Sequence, residues 1–106
     1  MTNFLVDRKY EIQSRSLFET ATIEIRQAED EYTGEKLSDV KIYLDGIYTK
    51  HYAPHNFIFR EEKGEFGTHT FTFSKPGWEF YLKEVDVMSG MHPDDYIITP
   101  VGYEVA

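Results

Sequence analysis

The stretch Gly67-Thr68-His69-Thr70-Phe71-Thr72-Phe73-Ser74-Lys75-Pro76-Gly77-Trp78 reads as a strand, a tight turn and the start of a second strand. His69, Phe71 and Phe73 share one parity, and Thr68, Thr70 and Thr72 share the other. That period of two is the mark of a half-buried strand, and a threonine row suits its open face. Lys75-Pro76-Gly77-Trp78 fits a type II turn, with Pro in second place and Gly in third, where φ is positive. The same grammar occurs upstream. Val40, Ile42 and Leu44 point one way, Lys41, Tyr43 and Asp45 the other, and Asp45-Gly46 closes the strand with a turn. Gly46 and Gly77 are therefore expected at positive φ, whereas Gly34 falls in a loose loop.

Further strands follow on both sides. Ile23 and Ile25 alternate with polar neighbours and face inward. Tyr10 and Ile12 suggest a first strand, and Phe57 and Phe59 mark another. Trp78, Phe80 and Leu82 share a parity opposite to that of Val85 and Val87. A one-residue bulge near Lys83-Glu84 would reconcile the two. Tyr96–Val105 reads as a final strand, placed at an edge because Pro100 and Gly102 interrupt it. Ala28–Lys36, Ile47–Asn56, Arg60–Glu65 and Ser89–Asp94 read as loops. About seven or eight short strands with regular turn signals indicate an all-β sandwich of immunoglobulin- or transthyretin-like type, one domain over residues 1–106.

Composition narrows the function. The chain has 106 residues and no cysteine, so disulfides, thiolate metal sites and cysteine nucleophiles are excluded. A chain of this size buries roughly 65% of its unfolded surface and folds without such staples. The net charge of −8, from 19 acidic and 11 basic side chains, disfavours direct binding to nucleic acid or anionic lipid. No apolar run reaches the length of a spanning helix, and Met1–Asp7 lacks the pattern of a signal peptide. Aromatic residues make up 16% of the chain, which favours strands and supplies contact surface.

Residues 38–88 resemble a PEGA domain. The resemblance rests on the alternating strand Ser38–Leu44 followed by Asp45-Gly46, on Pro54 in the next loop, and on Gly67-Thr68-His69-Thr70-Phe71-Thr72-Phe73. It continues through Lys75-Pro76-Gly77-Trp78 to a closing alternating strand from Tyr81 to Val87. It implies a small β-sandwich module of the kind found in envelope and surface proteins, without catalytic residues. The longer loops after Gly46 and after Arg60 depart from the family pattern.

The polar and aromatic residues offer several candidate sites. His51 and His55 are four apart, a metal-binding spacing only on a helix, and Pro54 argues against one there. His69 shares the inward parity of Phe71 and Phe73. It is expected to be half-buried with a ring nitrogen on a backbone carbonyl, or to act as a pH switch. Glu29-Asp30-Glu31 with Glu35, and Asp94-Asp95 after His92, are carboxylate clusters without EF-hand spacing. No serine lies in a nucleophile motif, and no glycine-rich phosphate loop is present. The aromatic segment Ile47–Tyr52 is the leading contact surface, with Tyr48, His51, Tyr52 and His55 as contact residues. Gly46, His69, Pro76, Gly77 and Trp78 are structural, with Trp78 anchoring one end of the sandwich.

These features point to a non-enzymatic module without cofactor that binds protein or glycan through the aromatic segment or a sheet edge. The rival is a small acidic inhibitor that docks on a basic surface.

Overall fold

The computed structural model describes residues 19–89 and 96–105. Among the described residues eleven strands form three sheets, and the fold is an all-β sandwich. In chain order they are β1 (Thr20–Ile25), β2 (Ala28–Asp30), β3 (Lys36–Leu37), β4 (Lys41–Leu44), β5 (Ile47–Tyr52) and β6 (His55–Arg60). Then follow β7 (Gly67–Ser74), β8 (Trp78–Phe80), β9 (Lys83–Val87), β10 (Ile97–Ile98) and β11 (Val101–Glu104). A short 3₁₀ turn at Glu61–Lys63 follows β6. The expected strand around Tyr10 and Ile12, and the cluster His92, Asp94 and Asp95, lie outside the described residues.

One sheet has the order β10-β1-β6 and a second the order β5-β4-β7-β9. Their inner faces meet in a single core. Ile23 and Ile25 of β1 and Phe59 of β6 oppose Ile42 of β4, Phe71 of β7 and Val87 of β9. Phe57 and Phe59 meet Phe71 across the interface at ring-centroid distances of 5.7 and 6.4 Å. The alternation in each strand produces this directly, because successive side chains leave opposite faces. The inward placement of Ile23, Ile25, Val40 and Ile42 is as read from sequence.

The third sheet, β3-β2-β11-β8, continues the first. The parallel pair β1–β10 passes through a kink into the parallel pair β2–β11. Arg26 N–H donates to Ile98 O at 2.8 Å and Glu29 N–H to Pro100 O at 2.9 Å, so the kink keeps its backbone paired.

The structure departs from several of these expectations. Ala28–Lys36 is not a plain loop but the hairpin β2–β3, closed by Gly34 N–H on Asp30 O at 2.8 Å. Gly34 sits at φ +74°, so it is as constrained as Gly46 (+82°) and Gly77 (+83°). No bulge separates Phe80 from Val85. The chain changes sheet there, β8 pairing with β11 and β9 with β7, which explains the switch of parity and leaves Leu82 exposed. Residues 96–105 are not one edge strand. β10 is an edge, whereas β11 lies inside its sheet between β2 and β8, and Pro100 between them is fully buried. Such sheet changes split longer segments and raise the strand number above the seven or eight expected.

Both read turns are present. Trp78 N–H donates to Lys75 O at 3.0 Å with Gly77 in third place. Asp45 (φ +52°) and Gly46 form a two-residue hairpin turn, with both central residues at positive φ as a type I′ turn requires.

Candidate functional site

The segment Ile47–Tyr52 is a strand, not a loop, and it is an edge of its sheet. Its sequence hides this because β5 carries a bulge. Leu44↔Ile47 and Tyr43↔Tyr48 pair normally, but the next pairs are Ile42↔His51 and Lys41↔Tyr52. Thr49 and Lys50 are the two extra residues. Lys50 sits at φ +66°, and Thr49 Oγ1 donates to Ile42 O at 2.7 Å. An insertion of two residues preserves parity, so Tyr48 and Tyr52 stay on the same outer face.

That face gathers Tyr43, Tyr48, Tyr52 and Lys41. The Tyr43 and Tyr48 rings are 5.4 Å apart and tilted by 38°. Lys41 Nζ stands 5.5 Å from the centre of the Tyr48 ring, within cation–π range. Desolvation and the adjacent Tyr52 hydroxyl raise the Tyr48 pKa. Tyr43 and Lys41 were legible as outward residues of β4 but were not assigned to the site. Only the pairing of β4 with β5 brings them there.

His51 and His55 lie on the other side of β5, at the mouth between the two sheets. The chain leaves β5, turns at Ala53-Pro54 (a cis peptide bond), and enters β6, the edge of the opposite sheet. This turn stacks the two imidazoles, with centroids 3.7 Å apart and planes 12° from parallel. Phe57 packs its ring edge-on to His55 at 4.9 Å. Burial and the neighbouring His51 lower the His55 pKa, so His55 favours its neutral form. In stacked rings the in-plane lone pairs run side by side and do not converge, which is unlike the tetrahedral arrangement that a zinc ion imposes. Among the described residues no group of three or more His, Asp or Glu is placed to hold a metal. The four contact residues read from sequence thus form two pairs, Tyr48 with Tyr52 and His51 with His55, on either side of one edge strand.

His69 is half-buried on the inner side of β7, next to the Phe59 ring. Its Nδ1 lies 2.6 Å from Asp45 Oδ2 and its Nε2 lies 2.6 Å from Glu65 O. The carbonyl can only accept, and the ionised carboxylate also accepts, so both ring nitrogens carry protons. Burial opposes the charge, but the bonds to Asp45 and Glu65 outweigh it and raise the His69 pKa. Its bond to His69 and the Thr70 N–H lower the Asp45 pKa. His69 therefore clasps the β4–β5 turn to the segment after β6.

The carboxylates Glu29, Asp30, Glu31 and Glu35 do not converge. Glu29 pairs with Lys36, and Asp30 accepts Tyr32 N–H and the Thr33 hydroxyl within its own hairpin. Glu31 accepts the Tyr81 hydroxyl at 2.9 Å, and Glu79 accepts the Tyr103 hydroxyl at 2.7 Å. On the side of the sandwich away from β5, a groove of about 300 Å³ is lined by Phe73, Tyr81, Leu82, Lys83, Ile98 and Thr99. Trp78 is half-buried against the core. Among the described residues no helix is long and apolar enough to cross a membrane.

No family model, curated protein or solved structure matches this chain.

Proposed function

We propose that this protein is a non-enzymatic interaction module that binds a protein partner through the side of the sandwich carrying β5 and β6. The observation that carries this reading is the cluster of Tyr43, Tyr48 and Tyr52 with Lys41 on the outer face of an edge strand. Tyrosines on a rigid sheet offer large amphipathic contact area at low entropic cost. The 38° tilt between Tyr43 and Tyr48 suits the uneven surface of a protein better than the flat platform expected for a glycan ring. In this reading residues 38–88 are a PEGA-like core of an immunoglobulin- or transthyretin-like module, with strands added at both ends.

A second reading, an acidic inhibitor of a basic partner, is favoured by a different surface. There Glu31 and Glu79 are held by Tyr81 and Tyr103, whose rings stand 5.9 Å apart. Capture of a partner by the wild-type chain and two double variants separates the readings. In the first, Tyr48→Ala with Tyr52→Ala loses the partner and Glu31→Gln with Glu79→Gln keeps it. The opposite pattern favours the inhibitor. A glycan array is the control, and glycan retention that depends on Tyr48 would displace the protein reading.

A further inference from the structure

Two strands on this side of the sandwich have an open edge among the described residues, β5 and β6, and they are not equivalent. β5 is guarded. Its bulge at Thr49-Lys50 and the lysine itself are devices that discourage another strand from pairing there. β6 is unbulged and pairs with β1 in continuous register from His55↔Ile25 to Arg60↔Thr20.

The alternation of an antiparallel ladder says which backbone groups of β6 point outward. Glu61 N–H donates to Glu19 O at 2.9 Å, so that pair is hydrogen-bonded, and the bonded residues of β6 are then Phe59, Phe57 and His55. Arg60, Ile58 and Asn56 present their N–H and C=O groups to the open side. At Arg60 they are taken by Glu65, whose Oε1 accepts Arg60 N–H at 2.7 Å and whose N–H donates to Arg60 O at 3.2 Å. Asn56 and Ile58 remain, and the Ile58 side chain is 56% exposed.

Charge selects the occupant. Nineteen acidic residues are spread along the chain, yet none occurs from Ile47 to Arg60, which holds Lys50, His51, His55 and Arg60. Arg60 shares the outer face of β6 with Ile58 and Asn56 and has no ion-pair partner among the described residues. The carboxylates nearest this edge are already engaged. Glu65 accepts Arg60 N–H, Glu61 accepts Glu19 N–H at 3.2 Å, and Glu24, opposite Asn56, pairs with Arg26.

We propose that β6 is a docking edge for an extended acidic segment of a partner protein, which adds as a strand at Asn56–Ile58. The added strand places an apolar side chain beside Ile58, and a carboxylate at its end reaches the Arg60 side chain from beyond the ladder, since the Arg60 backbone is already bonded to Glu65. Main-chain bonds supply the attachment, and the two side-chain positions supply the choice of sequence. This rests on the reading that the β5–β6 side is the contact surface, and it names the chemistry of the partner.

The test uses three synthetic probes on the full chain: a peptide alternating valine with glutamate, the same peptide with lysine for glutamate, and the acidic peptide N-methylated at alternate residues. Amide chemical shifts report the position and affinity of binding. The acidic peptide is expected to move the Asn56 and Ile58 amides and to bind at least about tenfold tighter than the lysine peptide, losing affinity as salt rises. N-methylation and Arg60→Glu are each expected to weaken it about tenfold or more. Equal binding of the acidic and lysine peptides, shifts centred on another strand, or no shifts at millimolar peptide would overturn the proposal. Protection of the Asn56 and Ile58 amides from exchange in the free monomer would show the edge already paired and do the same. Self-association that protects them would make a second copy the occupant instead. If the peptides fail while partner capture still depends on Tyr48 and Tyr52, this inference alone falls. Capture that ignores those tyrosines removes the underlying reading.

Discussion

His69 and His55 are two histidines whose titrations act on stability with opposite sign. His69 is bonded through both ring nitrogens, which raises its pKa from 6.5, so its stabilisation is complete below that value and fades as pH rises through the raised one. Asp45, lowered from 3.8, contributes above that value and loses its contribution as pH falls. The clasp is therefore strongest between 3.8 and 6.5. His69→Gln should lower stability there by about 0.2–1 kcal/mol, as befits a solvent-accessible pair, and by less at high pH. Urea melts across pH would show this, and a loss that does not vary with pH would contradict the charged form. His55, lowered from 6.5, prefers to be neutral, so its contribution is lost as pH falls, and His55→Gln should help in acid. The carbonyl bond of His69 was legible from its parity with Phe71 and Phe73. Its bond to Asp45 was not, because the two are brought together by the pairing of β4 with β7.

Strand ends and strand middles respond to different substitutions. Gly77, at φ +83° in its turn, meets open space where a Cβ would stand, so Gly77→Val is opposed by backbone strain alone, at about 1–3 kcal/mol. Gly34→Ser carries the same sign of effect, since its φ is +74°. Gly102 in β11 differs: a Cβ there would lie 2.5 Å from the Phe80 ring and 2.7 Å from Glu79 O. Gly102→Ala should lower stability by about 1–3 kcal/mol through overpacking between β11 and β8. Phe71→Ala, at a fully buried site in β7, should lower it by about 3–5 kcal/mol, and Trp78→Ala by clearly less because its ring is only half-buried. Thermal melts of the set would rank them, and a Trp78 loss equal to that of Phe71 would contradict the observed exposure. Turns closed by Pro-Gly and Asp-Gly were legible because glycine at positive φ is a local requirement. The fate of Gly102 was not, since it depends on which strand lies alongside.

Charge and contact surface belong to the molecule as a whole. The net charge of −8 resides largely away from β5 and β6, so a partner held at this side should respond moderately to salt, and the Tyr48→Ala, Tyr52→Ala double variant should lose at least about thirtyfold in affinity while melting like the parent. Calorimetric titration with the captured partner at two salt concentrations would check it. Unchanged affinity would move the site off the tyrosine face. Composition and local pattern were enough to establish an all-β sandwich, the inward residues Ile23, Ile25, Ile42 and Phe71, and the Asp45-Gly46 and Pro76-Gly77 turns. Each follows from a period of two or from one residue's φ, and such information is carried by near neighbours in the chain. The strand character of Ile47–Tyr52, the interior place of β11, and the meeting of Tyr43 with Tyr48 and of His51 with His55 came from the folded chain alone. They depend on which strands pair, in what register and across which bulge, and those choices are made by burial of the common core among residues far apart in sequence.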